Sequence, residues 1–437
     1  RQAAVSILAA IAPPGRLVPK YLMAIGAGEI DLANPDSYVE RVPLEWFAWL
    51  RRNEPVSWQP EPPPNAGFWA VTRHRDVAAV VNDPRTFSSA SGVTLEEMRP
   101  DELAARRSMM EIDPPGHSRL RRIVSPMFSR RAIGEYESFC RELARGVLDR
   151  ALPKGELDFV EDVSRQLPIR VLARILGVPD EDTDKLIAWG DRMIGNMDPE
   201  FSDAVVGRDD TSAYRLLPFR SPAAAELTEY AHTLGERRRD DPRDDLVSML
   251  VHAEVDGQRL TRPEFDNFFS LLVVAGNETT RHTITHGMLA LMHHRDQWRR
   301  LAEDPSLMPT AVEEMLRYGT VTMQFRRTAT RDTEVGGRRV REGDKVVAWF
   351  VSANHDEEVF QDPGRFDVAR DPNPHFTFGC RGPHFCLGAP LARMEIKVLF
   401  EELLPRLRDI EQTAPLSRLR SNFINGVKHL PVRVKLA

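Results

Sequence analysis

Cysteine is scarce in this chain of 437 residues, which contains only Cys140, Cys380 and Cys386. Three cysteines are too few for the disulfide framework of a small secreted domain, so we expect a protein of the reducing cytoplasm. An excess of positive charge is also missing, because 59 lysines and arginines stand against 65 aspartates and glutamates, a formal net charge of −6. Nothing in this balance indicates binding to nucleic acid.

Long apolar runs, internal repeats and flexible linkers are absent from the sequence as well. The apolar run from Ala3 to Ala12 ends at Pro13 and Pro14, well short of the about 20 residues that a membrane span needs. There is no solenoid-type repeat and no Gly/Ser linker, and 42% of the residues are hydrophobic and 28% charged. The sequence therefore predicts one globular domain over residues 1–437 and no membrane span.

The longest helical pattern extends from Asp266 to Met292, about 27 residues or roughly 40 Å. Its middle, Ala275–Thr280, contains Gly276 and polar residues, and a glycine inside a helix costs about 1 kcal/mol relative to alanine. This pattern predicts a helix that is broken at its centre beside a ligand. Strand-like runs are short, as at Gly67–Thr72 and Lys345–Phe350. The predicted fold class is mainly α with a small β portion.

The segment from Phe378 to Gly388 is the most informative one, with three glycines and one proline in a tight loop. Glycine lets the backbone approach a flat ligand closely. Cys386 stands where this loop becomes a helix. At that point free N–H groups and the positive end of the helix dipole favour the thiolate, so the pattern predicts a lowered pKa for Cys386 and a metal ligand.

This loop resembles the haem-binding signature of the cytochromes P450. The resemblance implies the triangular helical prism of that family and a haem b cofactor, with Cys386 as the axial ligand of the iron and Phe378 and Gly388 beside the cofactor. The loop is one residue longer than the common form, since both Cys380 and Arg381 separate its first two glycines. Cys380 is therefore a rival ligand, and we favour Cys386 because only it borders the helix.

Further segments match the family in the same order along the chain. The resemblance implies that a structural network holds the cysteine loop and that four side chains bind the haem propionates. One of these four is Arg327, and because Arg326 directly precedes it, this assignment is open by one residue. The network would consist of Glu314, Arg317 and Arg365, and the propionate ligands would be His117, Arg121, Arg327 and His384.

Ala275–Thr279 resembles the oxygen-activating stretch of the family. The reaction requires protons to reach dioxygen, and an acid can relay them through a hydroxyl group and ordered water. Glu278 would pass protons from solvent and Thr279 would orient oxygen and water. The alternative is an exposed glutamate beside a β-branched threonine, a common pair in helices.

His282 and His286 are one turn apart but lack a third zinc ligand, so we expect no zinc site.

The resemblance implies a monooxygenase that inserts one oxygen atom of dioxygen into a hydrophobic lipid, sterol or terpenoid, by hydroxylation or epoxidation. A tailoring oxidase of polyketides or other secondary metabolites is the alternative, followed by a peroxygenase or a non-catalytic haem-binding protein. Electrons would come to a monomer from a separate ferredoxin and its NAD(P)H-dependent reductase, docked on the side of the cysteine loop. The expected substrate pocket includes Val274, Ala275, Met323, Phe325 and Phe423.

Overall fold

The computed structural model describes residues 30–63, 65–202, 204–255 and 257–437. The apolar run from Ala3 to Ala12 lies outside the described residues. None of the helices in the described part combines the length and the hydrophobicity that crossing a bilayer requires.

Helices make up most of this described part, which confirms the predicted fold class. In chain order they are Leu44–Asn53 (α1), His74–Asn82 (α2), Pro100–Arg106 (α3), Gly116–Val124 (α4), Arg130–Gly134 (α5), Glu137–Ala151 (α6), Gln166–Leu176 (α7), Thr183–Ile194 (α8), Ala223–Asp240 (α9), Leu246–His252 (α10), Arg262–His293 (α11), Arg295–Glu303 (α12), Met308–Gly319 (α13), Phe350–Ala353 (α14) and Ala389–Leu403 (α15).

The strands are short. They are Val56–Gln59 (β1), Phe68–Val71 (β2), Phe87–Ser88 (β3), Glu156–Asp158 (β4), Glu254–Val255 (β5), Gln258–Arg259 (β6), Gln324–Ala329 (β7), Thr333–Val335 (β8), Arg338–Val340 (β9), Lys345–Trp349 (β10), Leu407–Gln412 (β11), Ser417–Arg418 (β12), Val427–His429 (β13) and Pro431–Leu436 (β14). The largest sheet has the order β1-β2-β10-β7-β3. It pairs β10 parallel with β2 and antiparallel with β7.

Helix α11 lies at the centre of the helical core, where it packs against α7, α8 and α13. It begins before the predicted residue because Thr261 and Glu264 form a reciprocal capping box and Pro263 stands in the first turn. The predicted break at its centre is wrong, since the helix is continuous from Arg262 to His293. Gly276 instead allows close packing on α7, because a Cβ there would lie 3.0 Å from Leu172 Cδ2.

Helix α15 follows directly after the cysteine loop. It covers Ala389–Leu403 and ends there because Pro405 follows in a short 3-10 turn. Pro390 stands in its first turn, where its missing N–H leaves no helical hydrogen bond unmade. The start of α15 and the middle of α11 thus face each other across the interior of the protein.

Candidate active site

A cavity of about 1240 Å³ lies between the middle of α11 and the cysteine loop. Most of its wall is apolar, and methionines from separate segments contribute to it. The apolar residues that line it include Met98, Met109, Met110, Met197, Phe219, Phe268, Leu271, Leu272, Val274, Ala275, Phe325, Phe350, Phe423 and Ile424. Such a wall suits a hydrophobic ligand, and methionine adapts to ligands of irregular shape.

Cys386 reaches the floor of this cavity from the end of the loop. Its N–H donates to the carbonyl of Phe378 at 2.9 Å, and the N–H groups of Gly388 and Ala389 donate to its sulfur. Burial nevertheless raises the pKa of the Cys386 thiol, although these N–H groups and Arg121 act in the opposite direction. The expectation of a lowered pKa is therefore wrong for the protein part alone, because desolvation outweighs the start of the helix. A metal ion at the sulfur would reverse this balance.

The other cysteine of the loop, Cys380, has different surroundings. Cys380 accepts a hydrogen bond from Asn82 Nδ2 at 3.2 Å and packs beside the five-stranded sheet. It also lines the cavity, but it lies six residues before Cys386 and does not border α15. The geometry thus favours Cys386, whose sulfur alone of the two receives hydrogen bonds from the start of a helix.

Four basic side chains gather at one side of the cavity. His117 and His384 have ring centroids 4.3 Å apart, and Arg121 donates to the carbonyl of Pro383 at 3.2 Å. Arg327 is buried, and this burial lowers its pKa to about 10. Burial also lowers the pKa of His384 to about 3, with help from Arg327. Among the described residues none of the four forms an ion pair with a carboxylate, and the charge of Asp113 acts on His117 and Arg327 only from a greater distance.

Haem fits this arrangement because it brings its own carboxylates. Within the described part of the chain the buried Nδ1 of His117 has no hydrogen-bond partner, which fits a group that would bind a haem carboxylate. The contacts of the two neighbouring arginines favour Arg327 over Arg326. Arg326 donates to the carbonyl of Glu96 at 2.9 Å and pairs with Glu97, whereas Arg327 lines the cavity.

Glu314 and Arg317 form a fully buried ion pair on α13. The predicted third member is wrong, since Arg365 is exposed and contributes only its carbonyl, which accepts from Arg317 Nη2 at 3.3 Å. Arg370 takes that place, because its Nε lies 3.1–3.2 Å from both carboxylate oxygens of Glu314. Arg365 and Arg370 belong to the same irregular segment after α14. Only the folded path of this segment decides which of the two side chains turns toward Glu314.

The α11 residues Glu278 and Thr279 both border the cavity. Thr279 Oγ1 donates to the carbonyl of Ala275 at 2.9 Å. Glu278 is not an exposed helix glutamate but is completely buried, and its carboxylate pairs with Arg281 and accepts from Asn277 Nδ2 at 3.0 Å. The acid and the alcohol are thus adjacent, with the acid held in an ionic network.

Four of the five predicted pocket residues line the cavity, namely Val274, Ala275, Phe325 and Phe423. Met323 does not, and this prediction is wrong. It is fully buried in a separate core cluster with Trp349, because side chains alternate along extended backbone and its neighbour Thr322 takes the cavity side. Phe268, Leu271 and Leu272 also line the cavity and were not among the predicted pocket residues. The last two lie one helical turn before Ala275, and helical periodicity could have identified them.

Known proteins are similar to this chain over most of its length. A family model described as Cytochrome P450 matches residues 219–434. The steroid C26-monooxygenase of Mycobacterium tuberculosis is 39% identical over 414 residues, which cover 92% of this chain and 92% of that relative. The chain belongs to the cytochrome P450 family. As a cytochrome P450 it is a haem-thiolate monooxygenase with haem b as its cofactor.

Two further proteins show how much of this P450 is shared with its relatives. The methyl-branched lipid omega-hydroxylase of Mycobacterium tuberculosis is 40% identical, over 88% of this chain and 90% of that relative. A Mycobacterium marinum cytochrome P450 solved in complex with pseudoionone matches with a TM-score of 0.82 and 37% identity. That match covers 97% of this chain and 99% of the solved one, so the helical prism is common to both.

Proposed function

We propose that this cytochrome P450 hydroxylates an aliphatic C–H bond of a lipid, either a sterol side chain or a methyl-branched chain. The observation that carries the proposal is the apolar wall of the cavity that Thr279 borders, to which Leu271, Leu272, Ala275, Phe325 and Phe423 contribute. Burial of an aliphatic chain against such a wall stabilises the complex by about 25 cal/mol per Å². The similar steroid and methyl-branched lipid hydroxylases support this substrate class.

The chain's own residues would hold the cofactor as follows. Cys386 would bind the iron, and Phe378 and Gly388 would lie beside the ring. Haem supplies the iron at which dioxygen is activated. His117, Arg121, Arg327 and His384 would bind the propionates, which would supply carboxylates in direct contact with that basic cluster. Glu314, Arg317 and Arg370 keep the cysteine loop in place.

Proton supply is assigned to the pair on α11. Thr279 orients a water molecule at the cavity end of the relay, and Glu278 takes a proton from solvent and passes it to that water. The support is their position, because both border the cavity while only Glu278 connects to the buried charges behind it. A relay of this kind keeps bulk water out of the cavity and still delivers protons.

Electrons would come from a ferredoxin and its NAD(P)H-dependent reductase, in the cytoplasm that the scarcity of cysteine favours. The docking site proposed is the outer side of the cysteine loop, where Arg381 is exposed and Phe385 is 38% exposed. A cation beside an exposed aromatic ring suits an acidic partner and places it close to Cys386.

The substrate class can be tested by titrating the holoenzyme with a sterol that carries an aliphatic side chain, a methyl-branched fatty acid and a macrolide. We expect the first two to shift the haem to high spin and to yield hydroxylated products by mass spectrometry with a ferredoxin and its reductase. A shift and product with the macrolide alone would instead establish a tailoring oxidase.

A further inference from the structure

A buried row of alternating charges leads from the cavity toward the surface. Glu278 pairs with Arg281, and Arg281 Nη1 donates to Asp191 Oδ1 at 2.6 Å. Asp191 is 4% exposed and lies on α8. Its second oxygen accepts from Arg165, which in turn pairs with Glu161, a side chain that is 40% exposed. Five side chains of alternating sign thus connect the acid of α11 to solvent.

The two helices that carry this row are in close contact. Gly190 precedes Asp191, and a Cβ at Gly190 would lie 3.3 Å from Nδ2 of Asn277. That amide group donates to Glu278 Oε1 at 3.0 Å, while Arg281 holds Glu278 Oε2. Each carboxylate oxygen of Glu278 therefore accepts a hydrogen bond from a neighbouring side chain, and the pair with Arg281 must loosen before this carboxylate can move toward Thr279.

Asp191 is placed to control that pair. It does not line the cavity, but α8 ends at Ile194, and Ile194, Asn196 and Met197 do line it. Because Asp191 occupies one side of the Arg281 guanidinium, it competes with Glu278 for the same cation. A change in the position of α8 when the cavity fills would change how firmly Arg281 holds Glu278.

We propose that Asp191 is a positioning residue for proton delivery, which weakens the hold of Arg281 on Glu278 so that this carboxylate can move toward Thr279. The inference rests on the proposed role of Glu278. In each cycle Glu278 would accept a proton from water, pass it to the water beside Thr279 and return to its charged form. Asp191 takes no part in the transfer itself.

The test is Asp191→Asn in the holoenzyme, because asparagine keeps the volume but removes the charge that competes for Arg281. We expect turnover per haem to fall on the order of tenfold and the solvent deuterium isotope effect to rise, since proton delivery becomes slower. The substrate-induced spin shift, which needs no turnover, should stay unchanged. In a Glu278→Gln background, Asp191→Asn should have no further effect on the rate.

Asp184→Asn is the matched control, since Asp184 lies on the same helix, is 81% exposed and pairs with Arg170 rather than with Arg281. It should behave like the parent enzyme. In Arg165→Gln, Asp191 loses its pair with residue 165 and keeps the pair with Arg281. The solvent isotope effect of this variant should therefore not exceed that of the parent. This variant also keeps the proposal testable if Asp191→Asn does not retain haem.

Three results would overturn the proposal. The isotope effect could stay unchanged in Asp191→Asn, or it could increase in Arg165→Gln. The third is that Asp191→Asn and Glu278→Gln lower the turnover rate additively in the double variant. The isotope effect can be measured on NAD(P)H oxidation with any ligand that gives a spin shift. Failure of the lipid assignment would instead appear in the parent enzyme, as the absence of spin shift and product with lipids.

Discussion

Arg317 and Glu314 form a two-point ion pair, with 2.8 Å from Nε to Oε2 and 2.7 Å from Nη2 to Oε1, and neither side chain is exposed to solvent. The remaining donors of Arg317 bind the carbonyls of Asn354 and Pro363. The pair therefore ties α13 to the irregular segment that leads into the cysteine loop. A buried pair of this kind is costly to break because the remaining charge loses its partner.

Arg370→Ala should destabilise the protein more than Arg365→Ala. Arg370 donates to both oxygens of the buried Glu314, so its loss should lower the free energy of unfolding by about 1–3 kcal/mol. Arg365 is exposed and contributes a carbonyl that alanine retains, so its loss should cost about 0.5 kcal/mol or less. Urea unfolding of both holoproteins measures the difference, and equal losses would restore Arg365 to the network.

Cys386→Ser should abolish the strongly red-shifted Soret band of the reduced protein with carbon monoxide, because serine cannot supply a thiolate. Cys380→Ser should keep that band, since Cys380 only accepts a hydrogen bond from Asn82 at 3.2 Å. Absorption spectra of the two variants, each normalised to its haem content, make the comparison. A thiolate-type band that survives in Cys386→Ser and disappears in Cys380→Ser would reverse the assignment.

Thr279→Ala should uncouple the reaction, so that more NAD(P)H is consumed per product and more hydrogen peroxide is released. The reason is the loss of the hydroxyl that would hold water at the end of the relay. Thr285→Ala is the matched control, because Thr285 makes the same bond to the carbonyl four residues earlier but faces Ser164 in the core. Equal peroxide yields from both variants would argue against a special role for Thr279.

Glu313→Gln should change the response of stability to acid. Burial alone would raise the pKa of Glu313, but hydrogen bonds from Arg393 and His375 lower it to about 2. A carboxyl whose pKa is lower in the folded protein adds stability above its ordinary pKa of about 4.3, and that stability is lost as the pH falls toward 2. The variant should therefore be less stable than the parent at pH 7 and approach it on acidification.

Unfolding by urea at several pH values between 7 and 3 follows this difference. Glu303→Gln serves as the control, since Glu303 is an exposed acid at the end of α12. A constant difference between Glu313→Gln and the parent over this range would show that the Glu313 carboxylate does not contribute through its charge.

Much of the fold was predictable because its signals are local. The long apolar helix was expected at Asp266–Met292 and is found at Arg262–His293, and the capping box at Thr261 and Glu264 explains the earlier start. The predicted break at Gly276 was wrong because the sequence does not show Leu172, whose packing uses the space that glycine leaves. A residue's intrinsic preference is overridden where tertiary packing favours another conformation.

The sequence by itself determined the helical class, the loop that presents Cys386 at the start of α15, and the adjacent acid and alcohol on α11, because each depends on neighbouring residues. Only the tertiary structure decided that Arg370 and not Arg365 faces Glu314, that Met323 belongs to the core, and that Asp191 meets Arg281 from 90 residues away. Such contacts depend on how separate segments pack together. A buried charge without a partner is costly, and its partner often comes from a distant segment, so no single segment of sequence specifies these contacts.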